Sequence, residues 1–258
     1  MYYIEDYCVV NKGIVPLNNQ DNIFVNGNSL APNNNGLSNY KIHRNLINKE
    51  LCYAVFDGIG GLDNGEEASL IGVQTLTNLY KKKPLKDILI QINQTLCNIK
   101  KEKNINLGTV GSVIKVEKKQ LIINQVGDCP IYIFHDNKFI KYIDVKSASN
   151  LLDNYLGKDE NIKIKEEKIV LKPNDKIIIC SDGLSKEVGD LEIEYILSSS
   201  NDINYITNKL LNYALMNGGK DNISIITLMV KRNYYEFIYC GLYIIFIILI
   251  ILVMLKIW

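Results

Sequence analysis

Four acidic residues stand in short polar breaks at the ends of apolar runs. The breaks are Asn19-Gln20-Asp21-Asn22, Phe56-Asp57-Gly58-Ile59-Gly60-Gly61, Cys180-Ser181-Asp182-Gly183-Leu184 and Gly219-Lys220-Asp221-Asn222. Carboxylates beside glycines suit hard divalent cations such as Mg²⁺ or Mn²⁺, because small residues let main-chain carbonyls approach the same ion. One Asp-Gly after a strand is ordinarily a turn. A set of them in one chain, each where a strand ends, points to a common oxygen-lined centre. Cysteine and histidine offer no competing chemistry. Cysteines at 8, 52, 97, 129, 180 and 240 form no C-x-x-C pair, and His43 and His135 lie near none of them, which argues against zinc and for reduced thiols. Ser181, beside Asp182, reads as structural.

Strands and helices must bring these breaks together. Strand-like runs occur as YCVV near the start and at 51–56, 109–116, 120–126, 131–134, 138–143, 168–171, 176–180 and 223–230, several alternating in polarity. His135-Asp136-Asn137 separates two of them as a turn, and Asn26–Asn39 reads as a polar loop. A helix follows the N-cap candidate Asp63-Asn64, with Glu66 and Glu67 in its first turn, and runs to about Tyr80. A second opens at Pro84 and lines up Leu85, Ile88, Leu89, Ile92, Leu96 and Ile99. A third follows Asn201, with Ile203, Ile206, Leu210 and Ala214 on one side. Helices inserted in a strand-rich chain predict an α+β fold, with antiparallel sheets stacked and flanked by helices.

The ordered set Gly13…Asn19-Gln20-Asp21, Val55-Phe56-Asp57-Gly58-Ile59-Gly60-Gly61, Gly108-Thr109, Val126-Gly127-Asp128, Cys180-Ser181-Asp182-Gly183-Leu184 and Asp221-Asn222 resembles the metal-dependent Ser/Thr protein phosphatases (type 2C), in their bacterial branch. The resemblance spans about residues 5–230. It implies an αββα sandwich and two Mn²⁺ or Mg²⁺ ions. By position, Asp57 would bridge both ions, the Gly58 carbonyl would bind one, and Asp182 and Asp221 would complete the second. Gln20 and Asp21 would hold metal-bound waters. The implied reaction is in-line attack of an activated water on the phosphorus of phosphoserine or phosphothreonine.

Several positions depart from that pattern. Gln20 replaces a glutamate, and Ile59 stands where relatives carry histidine or methionine. Pro16 occupies the place of a phosphate-gripping arginine, leaving Lys12, Arg44 or Lys220 as candidate substitutes. Asn104–Leu107 lacks the acid of a third metal site, Pro130 replaces an arginine, and the flap segment after Ile143 is shortened. Pro16 and Gln20 keep a second reading open, a pseudophosphatase that binds phosphorylated partners without turnover.

Composition bounds the remainder. With 47% apolar and 22% charged residues the chain is globular, and 29 basic against 28 acidic residues give no electrostatic case for nucleic acid. The N-terminus has no signal-peptide pattern. Residues 1–230 read as the phosphatase domain, 231–236 as a juxtamembrane linker and 237–255 as a transmembrane helix. The segment Phe237–Leu255 carries no charge over 19 residues. As a helix it would extend ~28 Å, close to the hydrocarbon core of a bilayer. Lys231 and Arg232 before it predict a single-pass C-terminal anchor with the domain on the cytoplasmic side. The expected partners are phosphorylated Ser/Thr proteins, including a membrane Ser/Thr kinase, and the lipid bilayer.

Overall fold

Apolar runs that alternate in polarity pair edge to edge, and here they build two antiparallel sheets. The computed structural model describes residues 2–31, 36–37, 43–46, 50–59, 64–143 and 153–232, with Tyr243 and Ile247 beyond them. The strands are β1 (Tyr2–Asn11), β2 (Asn22–Val25), β3 (Asn28–Ser29), β4 (Gly36–Leu37), β5 (His43–Leu46), β6 (Leu51–Gly58), β7 (Thr109–Glu117), β8 (Gln120–Val126), β9 (Ile131–His135), β10 (Lys138–Tyr142), β11 (Lys165–Val170), β12 (Lys176–Cys180) and β13 (Ile223–Arg232). The helices are α1 (Gly65–Leu79), α2 (Leu85–Lys103), α3 (Asp182–Ser185), α4 (Asp190–Ser199) and α5 (Ile203–Met216).

One sheet runs β10-β9-β12-β13-β1-β4, with β5 also on β1; the other runs β11-β8-β7-β6-β2-β3. Their inner faces meet in a core that includes Ile4, Tyr53, Ile114, Ile177 and Leu228. The outer face of the first sheet is covered by α3, α4 and α5 through Leu184, Ile196 and Leu210. The outer face of the second is covered by α1 and α2 through Val73, Leu76, Ile88 and Leu96. The expected two-sheet sandwich with outer helices is what the chain forms.

Local details follow from residue type, with some corrections. The turn at Asp136-Asn137 has both residues at positive φ (48° and 59°), the geometry that matches strand twist in a two-residue hairpin. Residues 26–39 are more than a loop: Asn26-Gly27, also at positive φ, turns β2 into β3, and β4 follows. Asn64 occupies the N-cap of α1 but its side chain makes no capping bond, whereas Glu66 and Glu67 do fill the first turn. Pro84 is the N-cap of α2 rather than its first helical residue. The third expected helix is α5, capped by Asp202, whose carboxylate accepts from the N–H groups of Asn204 and Tyr205. The described cysteines, Cys8, Cys52, Cys97, Cys129 and Cys180, are all free and buried.

Strand β13 continues through Lys231 and Arg232, into the segment expected as a linker. The expected span at 237–255 lies outside the described residues, apart from Tyr243 and Ile247, which are helical and exposed. Among the described residues, no helix is long and apolar enough to cross a membrane.

Candidate active site

The acidic breaks meet because their strands share one pole of the sandwich. In the register of the sheets Asn22 faces Phe56, Asp57 faces Val110, Cys180 faces Ile225 and Ile223 faces Asn11. Asp57 thus lies at the end of β6 and Asp21 just before β2, while Asp182 follows β12 and Asp221 precedes β13. Each sheet contributes two carboxylates to the mouth between the layers.

Close backbone approach fixes these ends. A Cβ on Gly58 would lie 2.3 Å from the Gly65 carbonyl oxygen, so β6 can end against α1 only with glycine there. The Gly58 N–H donates to the Gln20 carbonyl at 3.2 Å, and Thr109 Oγ1 donates to the Asp57 carbonyl at 2.6 Å. Gln20 Nε2 reaches Glu66 Oε2 at 3.3 Å, which ties its amide to the start of α1. Gly13, at φ +85°, packs on the Asp221 main chain. Gly60 and Gly61 lie outside the described residues.

Electrostatics set these acids apart. Asp21 is buried; its Oδ2 accepts from Ser224 Oγ at 2.7 Å, and its Oδ1 has no hydrogen-bond partner. Burial pushes its pKa up to about 7, the Ser224 bond opposes the rise, and the charges of Asp182 and Asp221 add to it. Burial also raises Asp57 well above the carboxylate range, followed by repulsion from Asp21, Asp182, Asp221 and Asp128. Asp182 is pushed up to about 6 by burial, against the pull of Lys186. Its Oδ1 is likewise buried without a partner.

Unbonded carboxylate oxygens that repel one another mark a place for positive charge. Among the described residues no three His, Cys, Asp or Glu side chains form a ready-made metal cage. The acids stand together at the strand ends instead, and Lys186 reaches between two of them, 2.5 Å from Asp182 Oδ2 and 3.5 Å from Asp221 Oδ2. By its all-oxygen donors and orphaned atoms the cluster fits hard divalent cations.

Sequence reasoning gave no role to four participants, although Asp128 and Asn222 stand in the motifs above. Asp128, after β8, adds its charge to Asp57 and Asp182. Ser224 holds Asp21, and Asn222 ties the 12–20 loop to β13. Lys186 follows Asp182 at i+4, a spacing that a sequence does display. Ser181 is structural, as expected: its buried Oγ donates to the Asn222 carbonyl and accepts from the Ser224 N–H. The candidate phosphate-gripping cations fare differently. Lys220 pairs with Glu187 at 3.5 Å, and Arg44 lies opposite Glu5 on β1. Glu5 is six residues from the site end of that strand, or ~20 Å at strand rise. In the segment expected to be a shortened flap, Leu156 bridges to Thr109 and Gly157 N–H bonds to Asn93 of α2.

A family profile described as Stage II sporulation protein E (SpoIIE) matches residues 49–223. The chain belongs to this family of PPM-type serine/threonine phosphatases. Within it, the serine/threonine phosphatase stp of Listeria welshimeri is 25% identical over 212 residues, covering 69% of this chain and 83% of that protein. Among solved structures, the S. agalactiae serine/threonine phosphatase superposes with a TM-score of 0.72 at 18% identity, over 88% of this chain and 99% of that one. The catalytic domain of the serine/threonine protein phosphatase PstP, in complex with two manganese ions, superposes with a TM-score of 0.70 at 20% identity, over 90% and 100%. The last two share the fold of the SpoIIE-family sandwich described here.

Proposed function

We propose that the chain is a metal-dependent phosphoserine/phosphothreonine protein phosphatase held at a membrane by its C-terminal segment. The observation that carries the reading is the convergence of Asp21, Asp57, Asp182 and Asp221 at one pole, with buried carboxylate oxygens of Asp21 and Asp182 left unbonded. Two Mn²⁺ or Mg²⁺ ions bound there supply Lewis acidity, which lowers the pKa of a water and offsets charge on phosphoryl oxygens. Asp57 and the Gly58 carbonyl would hold them at β6, with Asp182 and Asp221 from the opposite sheet. Gln20 and Asp21 orient water, Gln20 fixed by Glu66 and Asp21 by Ser224. The rigid strand ends hold the acids so that water attacks phosphorus in line with the leaving serine or threonine oxygen.

A second reading is a pseudophosphatase that binds phosphorylated partners. Lys186 between Asp182 and Asp221 favours it, as do Pro16 and Gln20. Hydrolysis of a phosphothreonine peptide by the full chain, with and without Mn²⁺, separates the two. Turnover that needs the metal supports the phosphatase; binding without turnover supports the rival.

The uncharged run 237–255 after Lys231 and Arg232 supports a single-pass anchor with the domain in the cytoplasm. Recovery of the full chain from the soluble fraction without detergent would sink this part. Tethering raises effective concentration beside membrane substrates, a Ser/Thr kinase among them, without new contacts. With a shortened flap and Pro16, the chain should then discriminate weakly among unrelated phosphopeptides.

A further inference from the structure

We propose that Lys186 is the cation that grips the substrate's phosphoryl group, the part that Pro16 cannot play. The inference rests on the phosphatase reading for its substrate and on the geometry around α3 for its residue. Lys186 is the C-cap of α3, and its main-chain N–H donates to the Asp182 carbonyl at 2.8 Å, so the root of the side chain is fixed one turn beyond an essential acid. Its ammonium lies against Asp182 and Asp221 together, the two acids that the first sheet brings to the site. The side chain is 58% exposed, so its head is free to turn outward while its root stays in place.

Two of the other cations considered stand apart from the acids. Lys220 pairs with Glu187, and Arg44 lies far along β1. Lys12 contributes its carbonyl, which accepts from Asn222 Nδ2 at 2.7 Å. Lys186 is the one shown to contact the acids of the site among the described side chains.

Charge balance then dictates what Lys186 does in the working site. With divalent ions bound, the Asp182 and Asp221 oxygens that now hold the ammonium would be taken up and the ammonium would be repelled. The next anion within its range is the phosphoryl dianion arriving over the same acids. Lysine binds phosphate as a point charge and needs no flat two-pronged fit, so one mobile ammonium suffices.

The experiment uses the full-length chain, purified with detergent present, with inorganic phosphate, Mn²⁺ and a phosphothreonine peptide as probes. Calorimetric titration gives the affinity for phosphate with Mn²⁺ present and the affinity for Mn²⁺ alone; hydrolysis gives KM and kcat. Lys186→Gln should weaken phosphate binding by at least ~10-fold, the weight of one charge-assisted contact. It should raise KM more than it lowers kcat and leave Mn²⁺ binding unchanged or tighter. Lys186→Arg should restore most of the phosphate affinity, and Lys220→Gln should behave as wild type.

Unchanged phosphate affinity in Lys186→Gln overturns the inference. So does a tightening of Mn²⁺ binding without any loss of phosphate, which would make Lys186 a mere counter-ion of the acids. Wild type that fails to bind phosphate with Mn²⁺ present also overturns it. Wild type that binds phosphate through Lys186 yet hydrolyses nothing upholds this inference and refutes the catalytic reading. Wild type that hydrolyses normally, with Lys186→Gln indistinguishable from it, does the reverse.

Discussion

The side-chain carbonyl of Asn222 accepts the main-chain N–H of Gln20 at 2.7 Å, across 202 positions of sequence. The same side chain donates to the carbonyls of Lys12 and Asn18, at 2.7 and 3.0 Å. One amide thus pins the loop that carries Gln20 and Asp21 to the strand end that carries Asp221. Asn222→Ala should cost ~1–3 kcal/mol, because it leaves partly buried main-chain groups unpaired. Thermal unfolding measures the loss, and Mn²⁺ titration should show weaker binding. Wild-type values in both would mean that the loop is held by other contacts.

On the proposed reading Asp57 would bridge both ions, so Asp57→Asn should lower turnover of a phosphothreonine peptide by at least ~10³-fold, about 4 kcal/mol of transition-state stabilisation. Asp182→Asn and Asp221→Asn should also lose activity, and excess Mn²⁺ should partly restore it, since on the same reading each would serve one ion. Ser181→Ala should keep more activity but unfold at lower temperature, because its buried Oγ joins two main-chain groups. Circular dichroism on each variant separates lost chemistry from lost fold. Full activity in Asp57→Asn would remove the centre from this position.

Protonation should stabilise the metal-free chain. Asp21 and Asp182, pushed up to about 7 and about 6, take up protons more readily folded than at their ordinary value of 3.8. The folded state therefore binds more protons across that interval, and this contribution to stability grows as pH falls through it. Without metal, the wild-type melting temperature should rise relative to Asp21→Asn as pH drops from about 7 toward about 4. With Mn²⁺ present the trend should reverse, because protons and ions compete for the same oxygens. Parallel pH profiles for the two proteins without metal would contradict the assignment.

Gly13→Ala tests the backbone contact behind Asp221. Its φ of +85° strains any side chain, and the new Cβ would lie 2.3 Å from the Asp221 carbonyl oxygen. Gly27→Ala is the control: φ is +103°, but the nearest atom is the Tyr80 hydroxyl at 3.3 Å, far from the acids. Both should cost ~1–3 kcal/mol of stability from backbone strain. Gly13→Ala alone should also weaken Mn²⁺ binding, measured by titration. Equal Mn²⁺ affinity in the two variants would show that Asp221 tolerates the displacement.

The sheets were legible because their strands are long and apolar: β8, β12 and most of β6, β7 and β13 can be read from periodicity. Strands β3 and β4 were hidden by being short and polar, although Asn26-Gly27 is a strong hairpin signal. Helix α4 shows Ile193, Ile196 and Leu197 on one face, but ten residues give too short a window beside α5. At the site, Asp57 and Asp182 announced themselves through the glycines that follow them, and Asp21 and Asp221 through the polar breaks they stand in. Their supports did not, because Ser224 meets Asp21 across 203 positions and nothing local marks the pair. Lys186 stood in plain view four residues after Asp182, yet only folding shows that Lys220 is taken by Glu187.

Strands β1 and β13 pair along their whole length, Tyr2 opposite Arg232 and Asn11 opposite Ile223. The acids gather at the Asn11 end, and the chain departs after Arg232 from the other. A ten-residue strand measures ~33 Å, so the two poles stand about that far apart. For a protein moored through the residues beyond Arg232, the domain becomes a pedestal with its mouth turned away from the mooring. Under that proposed anchoring, phosphorylated residues lying flat against the lipid would fall beneath its working height. Those carried on domains or loops that project a comparable distance would meet it face on, so geometry would sort clients by elevation before any side chain reads them.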